Sequence, residues 1–350
     1  NLEITKSTAL AGVLVRGKDV LLDDLWVHDN RYVGVTVMTA ESVTVANSRI
    51  YRNEDYDTTP TSGWGGGLVC DMSNDSTFKG NTVYQTWGEG IMLMGCDGFT
   101  IEDNVAYDNF ALNIYSEHSS NVVIQRNLVY HTGDSSFLRG GNPPYGIKIA
   151  DEGPMDGYYP DTQYSHDIRV LNNLVVGHAA NFVASGDSSD PGGLINSVIA
   201  NNTFVNARVF SGTPTGIIIT NRVNTNARIE NNIILQDVGD MAEIANDPDL
   251  HFSNNLWSRT PPTNASSSND VIGDPLLALT GPMGAGELLS DYFMLQAGSP
   301  AIDHAKVISE VTGDFFRHLR GSAPDIGAHE YGATEEDTSS TVVPDGHPSV

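Results

Sequence analysis

The stretch TIEDNVAY at residues 100–107 returns as VIQRNLVY at residues 123–130, and further copies run through most of the chain. Each copy is a short run rich in apolar and β-branched residues, then an Asn, then a second short run. Such a repeat predicts a solenoid, in which every copy belongs to one coil and neighbouring coils pair. The interval of 23 residues is the smallest coil, and longer intervals indicate coils with inserted loops.

The repeated Asn predicts a bend that all coils share. Its side chain can satisfy backbone groups at a bend, and Asn tolerates the left-handed backbone conformation. Stacked coils would place these side chains in an internal ladder, so we interpret the set as scaffold. Its members are Asn47, Asn81, Asn104, Asn127, Asn173, Asn202, Asn232 and Asn255, with Asp24 at the same position of an earlier copy.

A second strand precedes each of these copies and predicts which side chains face outward. Apolar residues alternate along it, and successive residues of a strand point to opposite faces. The apolar members are therefore expected inside the coil. The outward side chains are predicted in two rows, Thr36, Val69, Met92, Asn113 and Lys148 in the first and Met38, Asp71, Met94, Tyr115 and Ala150 in the second.

These patterns predict an all-β fold, a parallel β-helix over residues 1–332 with coils of about 23 residues. Irregular terminal coils or a cap are expected from about residue 262. Residues 333–350 are acidic and rich in Ser, Thr and Pro, which predicts a disordered tail or a linker. A β-propeller or sandwich would need hairpins with short turns, and leucine-rich repeats would need a different leucine spacing.

The formal net charge of −26 excludes two classes of partner. Nucleic-acid binding needs a basic surface, and an anionic membrane would not attract this chain. Calcium binding, a salty habitat and the ordinary solubility of a secreted protein all remain as explanations of the charge. No apolar run approaches the roughly 18 residues of a membrane span, so no membrane insertion is expected.

The two cysteines, Cys70 and Cys96, are too few for a disulfide framework. Cys70 falls on an inward strand position, and Cys96 falls in a turn about one coil later. We therefore predict two free thiols.

Two motifs near the C-terminus carry a resemblance to a known superfamily. AGSPAID at 297–303 and PDIGAHEY at 324–331 resemble a C-terminal signature of bacterial secreted β-helix proteins. These belong to the pectate-lyase-like superfamily, which includes polysaccharide lyases, uronan C5-epimerases and some glycoside hydrolases. The resemblance covers roughly residues 10–332 and implies a right-handed parallel β-helix that is secreted or displayed at the bacterial cell surface. The characteristic motifs of polygalacturonases and of calcium-dependent mannuronan epimerases are absent from the sequence.

Four residues are candidates for lyase chemistry. A lyase removes the proton α to a uronate carboxyl group and eliminates the linked sugar, and Lys148 on the outward face is a candidate base. Some pectate lyases of this superfamily use a Lys with calcium, which makes that role plausible. Tyr115 can protonate a leaving oxygen or stack on a sugar, His131 can act as a base, and Arg139 can bind a uronate carboxylate.

Acidic residues in the same region support two other kinds of site. Glu89 with Glu152, or Asp71 with Glu117, are candidate carboxylate pairs for a glycoside hydrolase. Calcium is a candidate cofactor because it takes six to eight oxygen ligands. The candidate ligands are Asp55, Asp57, Asp71, Asp151 and Glu152, with Glu54 nearby in the sequence.

Further residues are expected to bind the substrate. Trp64 and Trp87 lie where loops join strands and are candidate platforms for sugar rings. Asn113 and Glu117 belong to the middle coils of the outward face. Arg31 is a candidate member of a local basic patch with Lys148, Arg139 and Arg52.

The residues favour a secreted polysaccharide lyase or uronan epimerase, which acts in a groove along the β-helix. A glycoside hydrolase fits the acidic composition better and is the first alternative. A non-catalytic glycan-binding module or adhesin is the second. The expected partner is a polysaccharide rather than a nucleic acid, and the expected state is a monomer that can form part of a longer protein.

Overall fold

The computed structural model describes residues 2–55, 65–153, 164–186 and 192–334 of the chain. Within these ranges almost every regular element is a short parallel strand, and three long sheets take one strand each from successive coils. The predicted right-handed parallel β-helix is confirmed. The described ranges contain no α-helix, and their single-turn 3-10 helices lie at Ser135–Phe137, Thr263–Ala265 and Ser290–Phe293.

Sheet I follows the Asn bend in each coil. Most of its strands have three residues, of which the central one, such as Ile50 or Val83, is fully buried in the core. Its strands are β1 (Leu2–Thr5), β4 (Leu25–His28), β7 (Arg49–Tyr51), β10 (Thr82–Tyr84), β13 (Val105–Tyr107), β16 (Leu128–Tyr130), β19 (Leu174–Val176), β23 (Thr203–Val205), β27 (Ile233–Leu235), β30 (Leu256–Trp257) and β31 (Val271–Ile272).

Sheet II has the longest strands, and each sends two or more side chains into the core. Its outer face therefore offers the widest surface of the coil. Its strands are β2 (Ala11–Val15), β5 (Val33–Met38), β8 (Gly66–Asp71), β11 (Glu89–Met94), β14 (Leu112–Glu117), β17 (Tyr145–Asp151), β20 (Phe182–Gly186), β24 (Thr215–Ile219) and β28 (Asp240–Ile244).

Sheet III leads into the Asn bend and closes the triangular coil. A separate pair of strands, β21 (Gly193–Ile195) and β25 (Val223–Thr225), lies beside it. Its strands are β3 (Lys18–Asp23), β6 (Glu41–Ala46), β9 (Thr77–Lys79), β12 (Thr100–Glu102), β15 (Val123–Gln125), β18 (Arg169–Leu171), β22 (Val198–Ala200), β26 (Ala227–Glu230) and β29 (Leu250–Ser253).

The Asn residues of the repeat form an internal ladder from Asn81 to Asn255. In each step the backbone N–H and the side-chain amide of one Asn donate to the Oδ1 of the next, as Asn104 does to Asn127 at 3.0 Å for both bonds. Asn127 also donates to the carbonyl oxygen of Ile101 at 3.0 Å. The ladder amides are almost fully buried. Their hydrogen bonds give partners to backbone N–H and carbonyl groups at the bend, which water does not reach.

The bend is formed by two neighbouring residues, whereas the sequence analysis assigned both the hydrogen bonding and the left-handed conformation to a single Asn. The residue before each ladder Asn takes the left-handed conformation, as Arg126 does with φ 51°, whereas the ladder Asn does not. Asn47 and Asp24 occupy this preceding, left-handed position. Ser48 and Leu25 stand at the ladder position instead, so the alignment of the first two copies was wrong by one residue.

Cys70 and Cys96 form a disulfide, so the prediction of two free thiols is wrong. Cys70 points inward from β8, and Cys96 lies in the turn after β11. The equivalent turns of the adjacent coils carry Ser73 and Ser119, whose hydroxyl groups lie inside the coil. The turn position itself therefore faces the interior, and a Cys placed there meets a core side chain of the preceding coil.

The chain after β31 folds back and packs on the outer face of sheet I. Phe293 and Ile326, both fully buried, belong to one apolar cluster with Tyr107 and Tyr130. The two Tyr rings stack with centroids 4.8 Å apart. This packing covers the sheet from β13 towards its C-terminal end.

The left-handed corner residues hold the backbone of the returning chain. Asn172 donates to the carbonyl oxygen of Gly313 at 2.9 Å, and Asn231 donates to that of Lys306 at 2.8 Å. The signature PDIGAHEY lies here, where Gly327 N–H donates to the carbonyl oxygen of Asn231 at 2.8 Å. The signature thus has a structural role, which is to dock the returning chain on the coil.

Most of the predicted tail, residues 335–350, lies outside the described residues, and the domain boundaries stay predictions. Within the described part of the chain, no helix has the length and apolar character needed to cross a bilayer.

Replacing Asn127 by Ala should destabilise the protein by about 3 kcal/mol or more, because backbone groups in two adjacent coils and the side chains of Asn104 and Asn173 lose a hydrogen-bond partner. Chemical denaturation of the purified variant measures this. The control is Asn47→Gly, which keeps a residue suited to the left-handed conformation at an exposed bend. Equal losses in the two variants would contradict the role of the ladder.

Replacing Cys96 by Ser should lower the melting temperature, because the disulfide closes a loop across a sequence separation of 26 residues. The chain-entropy contribution of such a loop is about 3 kcal/mol. Ser suits this turn, as Ser73 and Ser119 show. A reductant should lower the melting temperature of the wild type and leave that of the variant unchanged; a wild type that ignores the reductant and titrates two thiols would refute the bond.

Candidate functional site

The outer face of sheet II brings together several residues that the sequence predicted as functional. Tyr115 on β14 lies between Met92 on β11 and Lys148 on β17, each in direct register. Glu117 lies two residues further along β14, is 7% exposed, and has its Oε1 3.8 Å from Nδ1 of His118. Tyr115 and Lys148 were predicted in different rows, and the structure places them in the same one.

Asn113 does not lie on this face, which corrects its assignment as a substrate-binding residue. It is fully buried, and its Oδ1 accepts a hydrogen bond from Asn109 Nδ2 at 2.8 Å. Its Nδ2 lies 2.7 Å from Nε2 of the buried His178. The register pairs Leu112 with Glu89, so position 113 falls level with Gly90, at the interior corner between sheets I and II.

Lys148 is held by two neighbours. Its ammonium group forms an ion pair with Glu152 and lies 5.6 Å from the centre of the Tyr115 ring, a cation–π contact. The side chain of Lys148 is 12% exposed and that of Glu152 is 32% exposed. With Glu152 at its ammonium group, Lys148 is better placed to bind an oxygen-rich ligand than to remove a proton.

Glu89 is the most perturbed acid at this site. Glu89 is 2% exposed, and burial raises the pKa of its carboxyl group to about 7. The Gly65 N–H donates to its Oε2 at 3.3 Å. The positive charge of Arg139 opposes the rise in the pKa, and the negative charge of Glu117 adds to it. A carboxyl group with this pKa can give up or take a proton near neutral pH.

Glu54 approaches Glu89 from the other side of Gly65. Glu54 is 3% exposed, and a Cβ atom on Gly65 would lie only 1.9 Å from its Oε1. Only glycine fits between these two carboxyl groups. No local pattern in the sequence pointed to the approach of Glu54 to Gly65.

His131 lies behind the face rather than on it. It is 1% exposed, its Nε2 donates to the carbonyl oxygen of Phe137 at 3.2 Å, and its Nδ1 accepts from Gly133 N–H at 2.9 Å. Burial lowers the pKa of His131. With both ring nitrogens engaged, its observed role is to hold the loop that follows β16.

That loop, residues 131–144, forms a wall beside Glu89. Phe137 packs on Trp87, with ring centroids 5.2 Å apart, and Trp87 lies two residues before Glu89. Trp87 is therefore engaged in packing, whereas it was predicted as a sugar platform. Arg139 follows on the same loop. Trp64 lies outside the described residues.

Arg31 and Asp55 lie away from Lys148, near the N-terminal end of the coil. Both line a surface cavity together with Lys6 and Asp29. Arg31 lies 5.5 Å from the centre of the Tyr32 ring. The predicted basic patch of Arg31 with Lys148 and Arg139 is therefore not one local cluster.

The other calcium candidates have different surroundings. Asp151 is fully buried, and its carboxylate accepts hydrogen bonds from Ser165 N–H, Ser165 Oγ and Gly193 N–H at 2.7 to 3.2 Å. Asp71 is buried and lies level with Met94 on β11, which in turn lies level with Glu117 on β14. Asp57 lies outside the described residues. No group of three or more His, Cys, Asp or Glu residues suited to a metal occurs in the described ranges. Calcium binding stays a prediction.

The comparison with family models agrees with this architecture. Residues 1–156 match the model of the right handed beta helix region. The chain has the right-handed β-helix fold. No curated protein sequence matches it.

Solved structures give the same result. A structure of XylC with xylose has 12% identity and a TM-score of 0.55, covering 91% of this chain and 60% of that one. Pectate lyase Pel9A has 19% identity and a TM-score of 0.47, covering 94% and 69%. A mutant of the periplasmic alginate epimerase AlgG has 15% identity and a TM-score of 0.43, covering 61% and 44%. This chain thus spans 44 to 69% of their lengths, and at such identities the likeness is one of fold alone.

Replacing Glu89 by Gln should stabilise the protein above pH 7. The folded state binds the Glu89 proton more tightly than the unfolded state, since the pKa rises from 4.5 to about 7 on folding. Stability is therefore lost as the pH rises through this window. The shift corresponds to at most about 3 kcal/mol.

Melting temperatures of both proteins between pH 4 and pH 8.5 measure this effect, and the curves should converge at low pH. The matched control is Glu243→Gln, an exposed acid on the outer face of the same sheet. Parallel curves for Glu89→Gln and the wild type would contradict a raised pKa.

Proposed function

We propose that this protein is a glycan-cleaving enzyme whose reacting sugar binds on the outer face of sheet II, with Glu89 as the proton donor. One observation carries the proposal: a buried carboxyl group with a pKa of about 7 lies beside Arg139 and within electrostatic reach of Glu117. Glycosidic bond cleavage needs an acid that is still protonated near neutral pH, and burial is one way to obtain it.

The surroundings of Glu89 suit a sugar. Tyr115, which is 4% exposed, places an aromatic ring beside the hydrogen-bond donor Lys148 in the same outward row. Met92 continues that row as a half-buried apolar surface. Sugars combine apolar ring faces with hydroxyl groups, and this row offers partners for both.

The charge of the site favours a neutral glycan. The acidic groups in or next to it are Glu54, Asp71, Glu89, Glu117, Asp151 and Glu152, whereas its permanent cations are Lys148 and Arg139. Lys148 is already paired with Glu152. A uronan would bring further carboxylates to this surface and meet repulsion. The sequence favoured a lyase or epimerase over a glycoside hydrolase. The charge of the site supports the hydrolase better.

In the hydrolytic mechanism Glu89 donates its proton to the glycosidic oxygen as the bond to the leaving sugar breaks. A second carboxylate stabilises the positive charge that develops on the sugar ring, or activates the attacking water. Glu117 is our candidate for that role. Glu152, the partner predicted from the sequence, is engaged by Lys148 and serves to hold it.

The lyase hypothesis keeps one specific observation in its favour. Tyr115 and Lys148, both predicted for β-elimination, are direct neighbours in register. In that reaction a base removes the proton α to the uronate carboxyl group, and the electron pair expels the linked oxygen as a double bond forms. Arg139 would then bind the carboxylate, and calcium would reduce the repulsion from the acidic site.

The Cys70–Cys96 disulfide supports the proposed secretion, since such bonds persist mainly in oxidising compartments. A glycan-degrading enzyme would also meet its polymer outside the cell.

The decisive experiment incubates the protein with neutral and uronic-acid polysaccharides and measures both new reducing ends and the ultraviolet absorbance of unsaturated uronate. We expect reducing ends from a neutral glycan without absorbance, and a rate that falls as the pH rises above about 7 because Glu89 loses its proton. Glu89→Gln should lower kcat by about 100-fold or more, and Glu243→Gln should not.

Absorbance from a uronan, lost in Lys148→Ala or Tyr115→Phe, would replace hydrolysis by elimination. Saturable glycan binding without any turnover would overturn both catalytic proposals and favour a binding module.

A further inference from the structure

We propose that Asn142 is a positioning residue. Its side chain forms hydrogen bonds with the backbone of residues 210 and 211, and in this way it keeps the loop that carries Arg139 beside Glu89. The proposal deepens the function proposed above and rests on it, because the positive charge of Arg139 opposes the rise in the pKa of the Glu89 carboxyl group. Asn142 does not reach the site itself, and the sequence analysis did not name it.

The first half of the loop 131–144 is anchored from within. His131 holds the carbonyl oxygen of Phe137, as described, and Asp134 accepts a hydrogen bond from Ser136 N–H at 2.9 Å. Thr132 binds Asp108 through both its N–H and its hydroxyl group at 2.8 Å. These bonds fix the chain as far as Phe137 and its contact with Trp87.

The second half depends on Asn142. A tight turn at Gly140 and Gly141, with φ of 59° and 84°, brings Asn142 back to Arg139. The two residues form an antiparallel bridge, in which Asn142 N–H donates to the carbonyl oxygen of Arg139 at 3.2 Å. Anything that fixes Asn142 therefore also fixes the backbone of Arg139.

Asn142 is fixed by a clamp on the neighbouring loop. Its Oδ1 accepts hydrogen bonds from the N–H groups of Phe210 and Ser211, both at 2.9 Å, and its Nδ2 donates to the carbonyl oxygen of Ser211 at 3.0 Å. Three hydrogen bonds of one side-chain amide thus connect the end of the loop 131–144 to a loop two coils further along. Phe210 is 51% exposed, so the clamp is a surface contact rather than part of the core.

The clamp has an electrostatic consequence at Glu89. Two charged groups act on this carboxyl from different elements, Arg139 from the loop and Glu117 from β14. Arg139 is the positive one, and it favours the charged carboxylate. If the tip of the loop loosens, Glu89 keeps its acidic neighbour Glu117 and loses its counter-charge, so its proton is held to higher pH.

The test compares Asn142→Ala, Arg139→Gln and the double variant. The matched control is Asn264→Ala, which removes an exposed Asn whose Nδ2 also donates to a backbone carbonyl group, that of Ile244 at 2.6 Å. The Glu89 carboxyl is followed by NMR on protein with labelled Glu side chains, with Glu89→Gln to assign the signal. The pH dependence of glycan cleavage is the second readout.

We expect Arg139→Gln to raise the Glu89 titration midpoint by about one pH unit. Asn142→Ala should raise it in the same direction, the double variant no further than Arg139→Gln, and Asn264→Ala not at all. The descending limb of the activity profile should move with the midpoint. A merely structural role would change the melting temperature or kcat and leave the midpoint in place.

An unchanged midpoint in Asn142→Ala, or additive shifts in the double variant, would overturn the inference. The NMR readout needs no substrate. Shifted midpoints without turnover of any glycan would therefore sustain the clamp and refute the proposed function, and turnover with fixed midpoints would do the reverse.

Discussion

The structure depends on a carboxamide that satisfies backbone groups at a corner where water cannot reach them. From Asn104 onward each ladder Asn receives two N–H groups on one oxygen and gives its own amide to a carbonyl group of the preceding coil, as Asn104 does to Phe78. Buried polar groups without partners would cost several kcal/mol per coil. Because the ladder admits one stacking of the coils, it also sets the register of the sheets and hence which side chains meet on the outer face of sheet II.

The bend between sheets III and I has one polar residue that faces the interior of the coil and one that faces outward. The ladder Asn faces inward, and the left-handed residue before it faces outward and holds the returning C-terminal segment. A corner of two polar residues thus joins the inner scaffold to the outer cover. This explains why so many copies read Asn-Asn in the second half of the sequence, where the cover lies.

The candidate site uses the scaffold in a different way. Glu89 begins a strand whose neighbours exclude water, while the loop 131–144 brings the positive charge of Arg139 to it and β14 brings the negative charge of Glu117. The strand fixes the position of the acid, and charges from other elements adjust its pKa. Burial raises that pKa to about 7, a value that suits acid catalysis near neutral pH.

Periodicity predicted the coil, its length and the inward side chains, because those follow from local alternation. It failed where a residue's neighbour lies one coil away. Asn113 was placed outside because alternation was counted along one strand, whereas pairing of Leu112 with Glu89 sets the register. The disulfide partner of Cys96, the contact of Lys148 with Tyr115 and the approach of Arg139 to Glu89 arise between coils or between loops, and no pattern within a single coil contains them.

Asp151 shows how such a molecule can change its specificity. Its carboxylate accepts hydrogen bonds from the backbone N–H groups of Ser165 and Gly193, so one side chain of sheet II fixes the chain at two points. Segments with fixed ends can vary in length and composition without disturbing the coils beneath them. Mutation and insertion can therefore remodel the rim of the groove while the anchored core is inherited intact, and one scaffold can give rise to a lineage of enzymes that recognise different polymers.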